Sequence, residues 1–419
     1  MTYPSSSPQT LLEAGSPAAP TRWLVIGLAF AAVLLDGYDT ASLGLAVPGL
    51  SKAWELPPAA FTLPLMATNL GVVIGYITCG KVSVLLGLRR TLLIGVAVCA
   101  IGSALTAVSP TIPLMTASRI ITGIGLGAVL PSAISLATAN RPGKSKEVIA
   151  VLVSMGLSAG SLAAGLSGGL LISGFGWSSV FWVGAVLPAL LLPLMWVAIG
   201  NPPAAQSNPQ VRRENVGSLF RDGFTTRTLL LWAFAFLIFT TFYAFSSWLP
   251  TLLTGFGFST AMAPLGAASL GVGGIVGALL LVAFSSRFRT SYLLMAASSL
   301  AIVFLLLVSV LQPGQWQLLF IFAGVGMGLA TGMVGQAAVA VSTYPETSRT
   351  TGVGWAAAMG RVGSVAGPAF GGALLAAGQS PQSVVLVACL PVLVGLLVMG
   401  VLARKLGPSK QIDSAPGRS

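Results

Sequence analysis

Residues 23–47 read Trp23-Leu-Val-Ile-Gly-Leu-Ala-Phe-Ala-Ala-Val-Leu-Leu-Asp36-Gly-Tyr38-Asp39-Thr-Ala-Ser-Leu-Gly-Leu-Ala-Val47. The stretch exceeds the roughly 20 apolar residues that a helix needs to cross a bilayer. Its only charges are two acids, deep inside the run. Eleven further apolar runs follow, at 59–79, 91–109, 112–137, 148–172, 179–200, 227–254, 261–284, 291–311, 315–342, 352–376 and 381–403. The expectation is an all-α membrane protein with twelve transmembrane helices.

Composition agrees. Of 419 residues, 55% are hydrophobic and 7% charged, and the mean hydropathy is +0.91. Soluble domains carry about 25% charged residues, so a water-facing surface cannot be built and a soluble enzyme is excluded. Disorder fails on the same numbers. The 51 glycines show no G-X-Y period, which excludes collagen. Long unbroken runs, rather than short alternating ones, exclude a β-barrel. Histidine is absent, and Cys79, Cys99 and Cys389 show no ligand spacing, so neither a metal nor a cofactor is expected.

The net charge of +12 is explained by where the bases fall. With the N-terminus inside, cytoplasmic segments hold 18 of the 21 Lys and Arg, from Arg22 to Arg418. Lys52 alone lies outside, while Arg119 and Arg361 fall within spans. This bias predicts both termini in the cytoplasm and requires no nucleic-acid partner. Residues 1–21 lack the basic region of a cleavable signal and are expected to be a disordered cytoplasmic tail.

The one long polar interruption, a cytoplasmic linker at 201–226, separates an N-terminal six-helix half (22–200) from a C-terminal half (227–403), with a tail at 404–419. The halves repeat. Gly123-Ile-Gly-Leu-Gly127 recurs as Gly324-Val-Gly-Met-Gly328, Arg89 as Arg289, and Leu187-Pro188 as Leu390-Pro391, at offsets of roughly 200 residues. Two pseudo-symmetric halves around a midplane site is a transporter plan.

Charges at bilayer depth cost at least about 2.5–3.5 kcal/mol each, which makes Asp36, Asp39, Arg119 and Arg361 functional candidates. At about 1.5 Å per residue, all four lie near the middle of the membrane. Asp36 and Asp39 are three apart and share a helix face. Two acids so close do not both ionise readily in a low-dielectric site, which suits a proton carrier. The plainer alternative is that one of them pairs with Arg119 to hold helices together. An arginine fork suits a carboxylate, because it offers two parallel hydrogen bonds. Tyr38, Tyr243 and Trp355 are candidate rings for stacking on a planar substrate, and Asn69 and Gln336 candidate partners for a hydroxyl.

These residues resemble a known family. Asp36-Gly-Tyr-Asp39 is similar to the DG[YF]D signature of the aromatic acid:proton symporters of the major facilitator superfamily. Arg119-Ile-Ile-Thr-Gly-Ile-Gly-Leu-Gly127 resembles their fourth helix, and Gly352-Val-Gly-Trp355 with Gly360-Arg361-Val-Gly resembles their eleventh. The resemblance covers residues 20–403. It implies the major facilitator fold and import of an aromatic carboxylate, such as a hydroxybenzoate or phenylpropionate, coupled to protons. It also implies a location in the bacterial cytoplasmic (inner) membrane, for which a monomer suffices. Asp36 and Asp39 would then couple protons, and Arg119 and Arg361 would bind substrate. The alternative is another organic anion, or efflux of a small organic compound.

The inner-loop pattern of the family, G-x-x-x-D-x-x-G-[RK]-[RK], reads here Gly80-Lys-Val-Ser-Val84-Leu-Leu-Gly87-Leu-Arg89-Arg90. Val84 replaces the usual acid, and Ser286 and Ala139 stand where relatives often carry acids. The resemblance assigns gating to Gly80, Gly87, Arg89, Arg90 and Arg349. With three acids gone, Glu346, together with Glu147 and packing, is expected to hold the inner gate. An antiporter-like pattern, Gly363 to Gly372, lies in helix eleven rather than helix five and is read as packing and a kink.

Overall fold

A computed structural model of the chain describes residues 22–139, 143–200, 216–221, 223–311 and 313–406. The expected tail 1–21, most of the linker, the end of the C-terminal tail and the side chain of Glu147 lie outside the described residues. Every element among those described is helical, as hydrocarbon demands of a chain that must pair its own backbone groups.

In chain order the helices are α1 (Arg22–Trp54), α2 (Thr62–Leu86), α3 (Leu88–Ala107), α4 (Ile112–Thr138), α5 (Gly143–Phe175), α6 (Ser179–Ala198), α7 (Thr225–Gly255), α8 (Leu265–Ser285), α9 (Thr290–Leu311), α10 (Gln315–Thr343), α11 (Glu346–Ala376), α12 (Pro381–Val387) and α13 (Cys389–Lys405). Helices α12 and α13 form one span, Pro381–Lys405. The break at Ala388 has a local cause: Pro391 has no N–H for the Val387 carbonyl, and its ring crowds that carbonyl.

Among the described residues, 11 segments are long and apolar enough to cross a membrane. The twelfth expected span, α11, is 31 residues long but interrupts its apolar run with glycine, serine, threonine and Arg361. It is sheltered by packing on α7, α2 and α10.

The internal repeat is visible in the packing. Helix α4 packs on α2 and α3 as α10 packs on α8 and α9. Likewise α1 packs on α5 as α7 packs on α11. The two sets of six meet through α1 with α7, and through the equivalent pairs α5 with α8 and α11 with α2. Small residues permit this approach. A side chain at Gly165 would collide with the Ala268 backbone, and Ser161 Oγ donates to the Ala267 carbonyl at 3.0 Å.

The basic loops gather at one end of the bundle. At the other end the hydrophobic core is continuous across the sets: Leu43, Leu50 and Phe61 pack in one cluster with Trp248, Leu249 and Leu252. Near the basic end, Ile26, Val33, Leu92, Leu136 and Val153 form a separate core of the first set. The sets are therefore joined at the end remote from the basic loops and parted toward them.

Candidate functional site

Asp39 projects from α1 into the first six helices and meets Arg119 of α4, both fully buried. Arg119 Nη2 lies 2.6 Å from Asp39 Oδ2, and Nη1 donates to Oδ1 at 3.4 Å. Nη2 also reaches the Asp39 carbonyl at 3.3 Å, and Nε donates to Thr68 Oγ1 of α2 at 3.0 Å. Ser103 of α3 donates to Asp39 Oδ1, and the Phe181 ring of α6 lies 5.8 Å from the guanidinium carbon. Five helices thus converge on one pair. Desolvating two charges costs several kcal/mol per ion, and only near-complete hydrogen bonding offsets that. Here it is nearly complete. Asp39 thus occupies the guanidinium fork of Arg119.

The cavity lies between the two sets, about 250 Å³ in volume, with walls from α1, α4, α5, α7, α8, α10 and α11. Arg361 of α11 faces it, with Tyr243, Phe239 and Phe242 of α7. Arg361 Nη1 donates to Tyr243 Oη at 3.3 Å, and the Tyr76 ring of α2 lies 5.7 Å from its guanidinium carbon. Among the described residues no carboxylate comes within ion-pair distance of Arg361. Gly37 and Thr40 bring α1 to the wall, and Thr40 Oγ1 donates to the buried Asp36 at 3.3 Å. Asp36 is close enough to feel the charge of Arg361 without pairing with it. On α10 the cavity face of Ala330 and Val334 continues one and two turns further to Ala337 and Val341, both exposed. The cavity therefore opens toward the basic end.

The other expected site residues sit elsewhere. Tyr38 packs in the α1–α5 seam with Leu45 and Ala164. Asn69 spends its amide on the Leu65 carbonyl of its own helix, at 3.1 Å. Gln336 is buried on α10 off the cavity wall, with Oε1 unpartnered. Trp355 stacks on Trp232 at 5.5 Å, and Trp232 in turn meets Phe220 of the short 3-10 helix Val216–Phe220. For Tyr38 and Trp355 packing on neighbouring helices, and for Asn69 its own helix's carbonyl, occupy the side chain, while Gln336 keeps an unpartnered oxygen.

The gate candidates are likewise apart. Arg89 donates to the Trp196 carbonyl within the first set, with its guanidinium 5.0 Å from the Trp196 ring centroid. Arg90, Gly80 and Glu346 are exposed, and Arg349 is half-buried with Nε unpartnered. Gly87 has φ +84°, a conformation that suits glycine, and it turns α2 into α3. Val84 and Ser286 face outward at the positions of the missing acids, and Ala139 ends α4. No ion pair joins the two sets at this end among the described residues, as expected of an open mouth.

Sequence reading missed Ser103 and Thr68, which complete the Asp39–Arg119 site, and the serines of the cavity wall. A signal existed for the latter: Ser154, Ser158 and Ser161 are spaced four and three apart, along one face of α5.

Three comparisons bear on this geometry. The Major Facilitator Superfamily model matches residues 29–334 and 267–419. The chain is 32% identical over 400 residues to the 3-(3-hydroxy-phenyl)propionate transporter of Escherichia coli K12, covering 93% of this chain and 96% of that one. It is 29% identical over 392 residues to the gallate transporter of Pseudomonas putida, covering 86% and 87%. Among solved structures, the D-xylose-proton symporter shares the fold with a TM-score of 0.70 at 18% identity, covering 90% of this chain and 97% of that one.

Proposed function

Because the chain belongs to the Major Facilitator Superfamily and is a transporter of that kind, we propose that it imports a small aromatic carboxylate together with a proton across the bacterial inner membrane. The observation that carries this reading is Arg361, a cation among aromatic, apolar and hydroxyl side chains of the cavity wall, without a carboxylate partner among the described residues. A cation held in low dielectric gains most from an anion, and its planar fork matches a carboxylate. Phe239 and Phe242 supply ring faces and edges for an aromatic body. A volume of about 250 Å³ falls below the roughly 300–1,000 Å³ typical of drug-sized ligands, so it suits a single ring. Both named relatives carry aromatic carboxylates.

Proton coupling falls to Asp36 in this reading. An ionised Asp36 competes with substrate for Arg361, whereas a protonated Asp36 leaves the guanidinium to the incoming anion. Loss of the proton toward the cytoplasm restores the competition and expels the substrate. Asp36 belongs to the first set of helices and Arg361 to the second, so the exchange links charge to the rocking of alternating access. Asp39, held by Arg119, keeps α1 in register with α4 during that motion.

The test is uptake of a panel of radiolabelled aromatic acids into proteoliposomes with an imposed pH gradient, beside Arg361→Ala and Asp36→Asn. Accumulation of one acid by the wild type, lost in both variants, is the expected result. Failure of every aromatic acid, in vesicles shown to contain folded protein, overturns the reading.

A further inference from the structure

A second cavity, of about 350 Å³, also borders α10, on a face next to the one that lines the transport cavity. It is a cleft between α8 and α9 with α10 as its floor, walled by Leu280, Phe284, Leu293, Ala296 and Leu300 above Met327 and Gly328. Its one hydroxyl, of Thr331, is spent on the Met327 carbonyl at 2.7 Å. Nothing in it can hold a polar ligand. Leu280 and Phe284 are exposed, so the cleft opens sideways onto the lipid face.

The end of the cleft is basic. Leu280 lies seven residues before Arg287, so at about 1.5 Å per residue the arginine stands roughly 10 Å along the helix direction, at the depth of a lipid headgroup. The turn reads Ser286-Arg287-Phe288-Arg289 and contains no acid. Among the described residues no carboxylate comes within ion-pair distance of either arginine, and the Arg289 guanidinium carbon lies 5.5 Å from the Tyr292 ring centroid. The repeat makes a contrast: Arg89, the counterpart of Arg289, is tied to the Trp196 carbonyl.

We propose that the α8–α9 cleft is a binding site for an anionic phospholipid, with one acyl chain between Phe284, Leu300 and the α10 floor and the phosphate on Arg287 and Arg289. An acyl chain matches the dry cleft, and a headgroup without an ammonium matches two uncompensated cations. The site is independent of what the central cavity carries. It bears on transport only because Met327, Gly328 and Thr331 share α10 with Ala330, Met333 and Val334, which line the central cavity from a neighbouring face of the same helix.

The experiment is native mass spectrometry of the purified full chain, exchanged with phosphatidylglycerol or phosphatidylcholine of identical acyl chains. Wild type is expected to retain phosphatidylglycerol preferentially. The pair Arg287→Ala/Arg289→Ala should lower that preference roughly tenfold, while the charge-matched pair Lys81→Ala/Lys146→Ala leaves it in place. Ala296→Phe, which fills the cleft, should reduce retention of both lipids. No preference in the wild type, or equal loss in the two charge pairs, overturns the proposal. Unchanged retention in a folded Ala296→Phe protein overturns the role of the cleft. If that variant does not fold, the two charge pairs decide between a site and general surface charge.

Discussion

Two acids three residues apart on α1 meet two arginines in opposite ways. Asp39 and Arg119 both belong to the first six helices, are fully buried, and satisfy each other with help from Thr68 and Ser103. Asp36 and Arg361 come from different sets of helices and stand beyond ion-pair distance, Arg361 on the cavity wall and Asp36 buried behind it beside Thr40. At about 100° per residue, three steps along a helix turn a side chain some 60° from its starting direction. That is enough to send one acid into the bundle and leave the other at the seam. In the proposed cycle the closed couple resists change, while the open one responds to a proton or an anion.

The sharpest way to break this contrast is to remove one member of the closed couple. Arg119→Ala leaves Asp39 buried and unpaired, which should destabilise the protein by about 3–5 kcal/mol and lower its thermal midpoint in detergent. Replacing both, as Asp39→Leu/Arg119→Met, should recover most of that loss. A single variant as stable as wild type would refute the closed-couple reading.

At the open couple, Arg361→Ala should leave the midpoint nearly unchanged and weaken substrate binding by about 1.5–3 kcal/mol, a roughly 10- to 150-fold rise in KM. Arg361→Lys should fall between, because a point charge lacks the fork. Asp36→Asn should abolish gradient-driven accumulation yet keep substrate exchange between the two sides of the vesicle. Wild-type uptake should rise as the outer pH falls if, as proposed, protonation of Asp36 is the loading step. A flat pH profile is expected of the variant, and a surviving pH dependence would move the proton elsewhere. The smallest effect should come from Tyr243→Phe, which removes one hydrogen bond to Arg361; about 0.5–1.5 kcal/mol, or up to about tenfold in KM, is expected.

Much was legible in the sequence, for reasons that differ between features. The spans could be read because a bilayer imposes length and apolarity residue by residue. Helix α11 was found as a span in the sequence although it is less apolar than the others, since its neighbours supply the shelter that hydropathy does not register. The four membrane charges stood out because their cost makes them rare. That one acid could pair with Arg119 was also legible, but which acid was not, because depth along a helix fixes height in the bundle and says little about direction around it. Asn69, Gln336 and Trp355 illustrate the limit: each has suitable chemistry at a suitable height, and each is turned away from the cavity or tied to a neighbour.

By itself the chain determined that it is a twelve-span helical membrane protein with an internal repeat, because hydrophobic length and periodicity are local properties. Which acid is sealed and which stands open, and which end of the cavity is shut, were decided by the tertiary structure alone. Those depend on contacts between helices far apart in the chain, α1 with α5 and α7 among them, where small residues such as Gly165 let backbones meet and the facing charges either close on each other or do not.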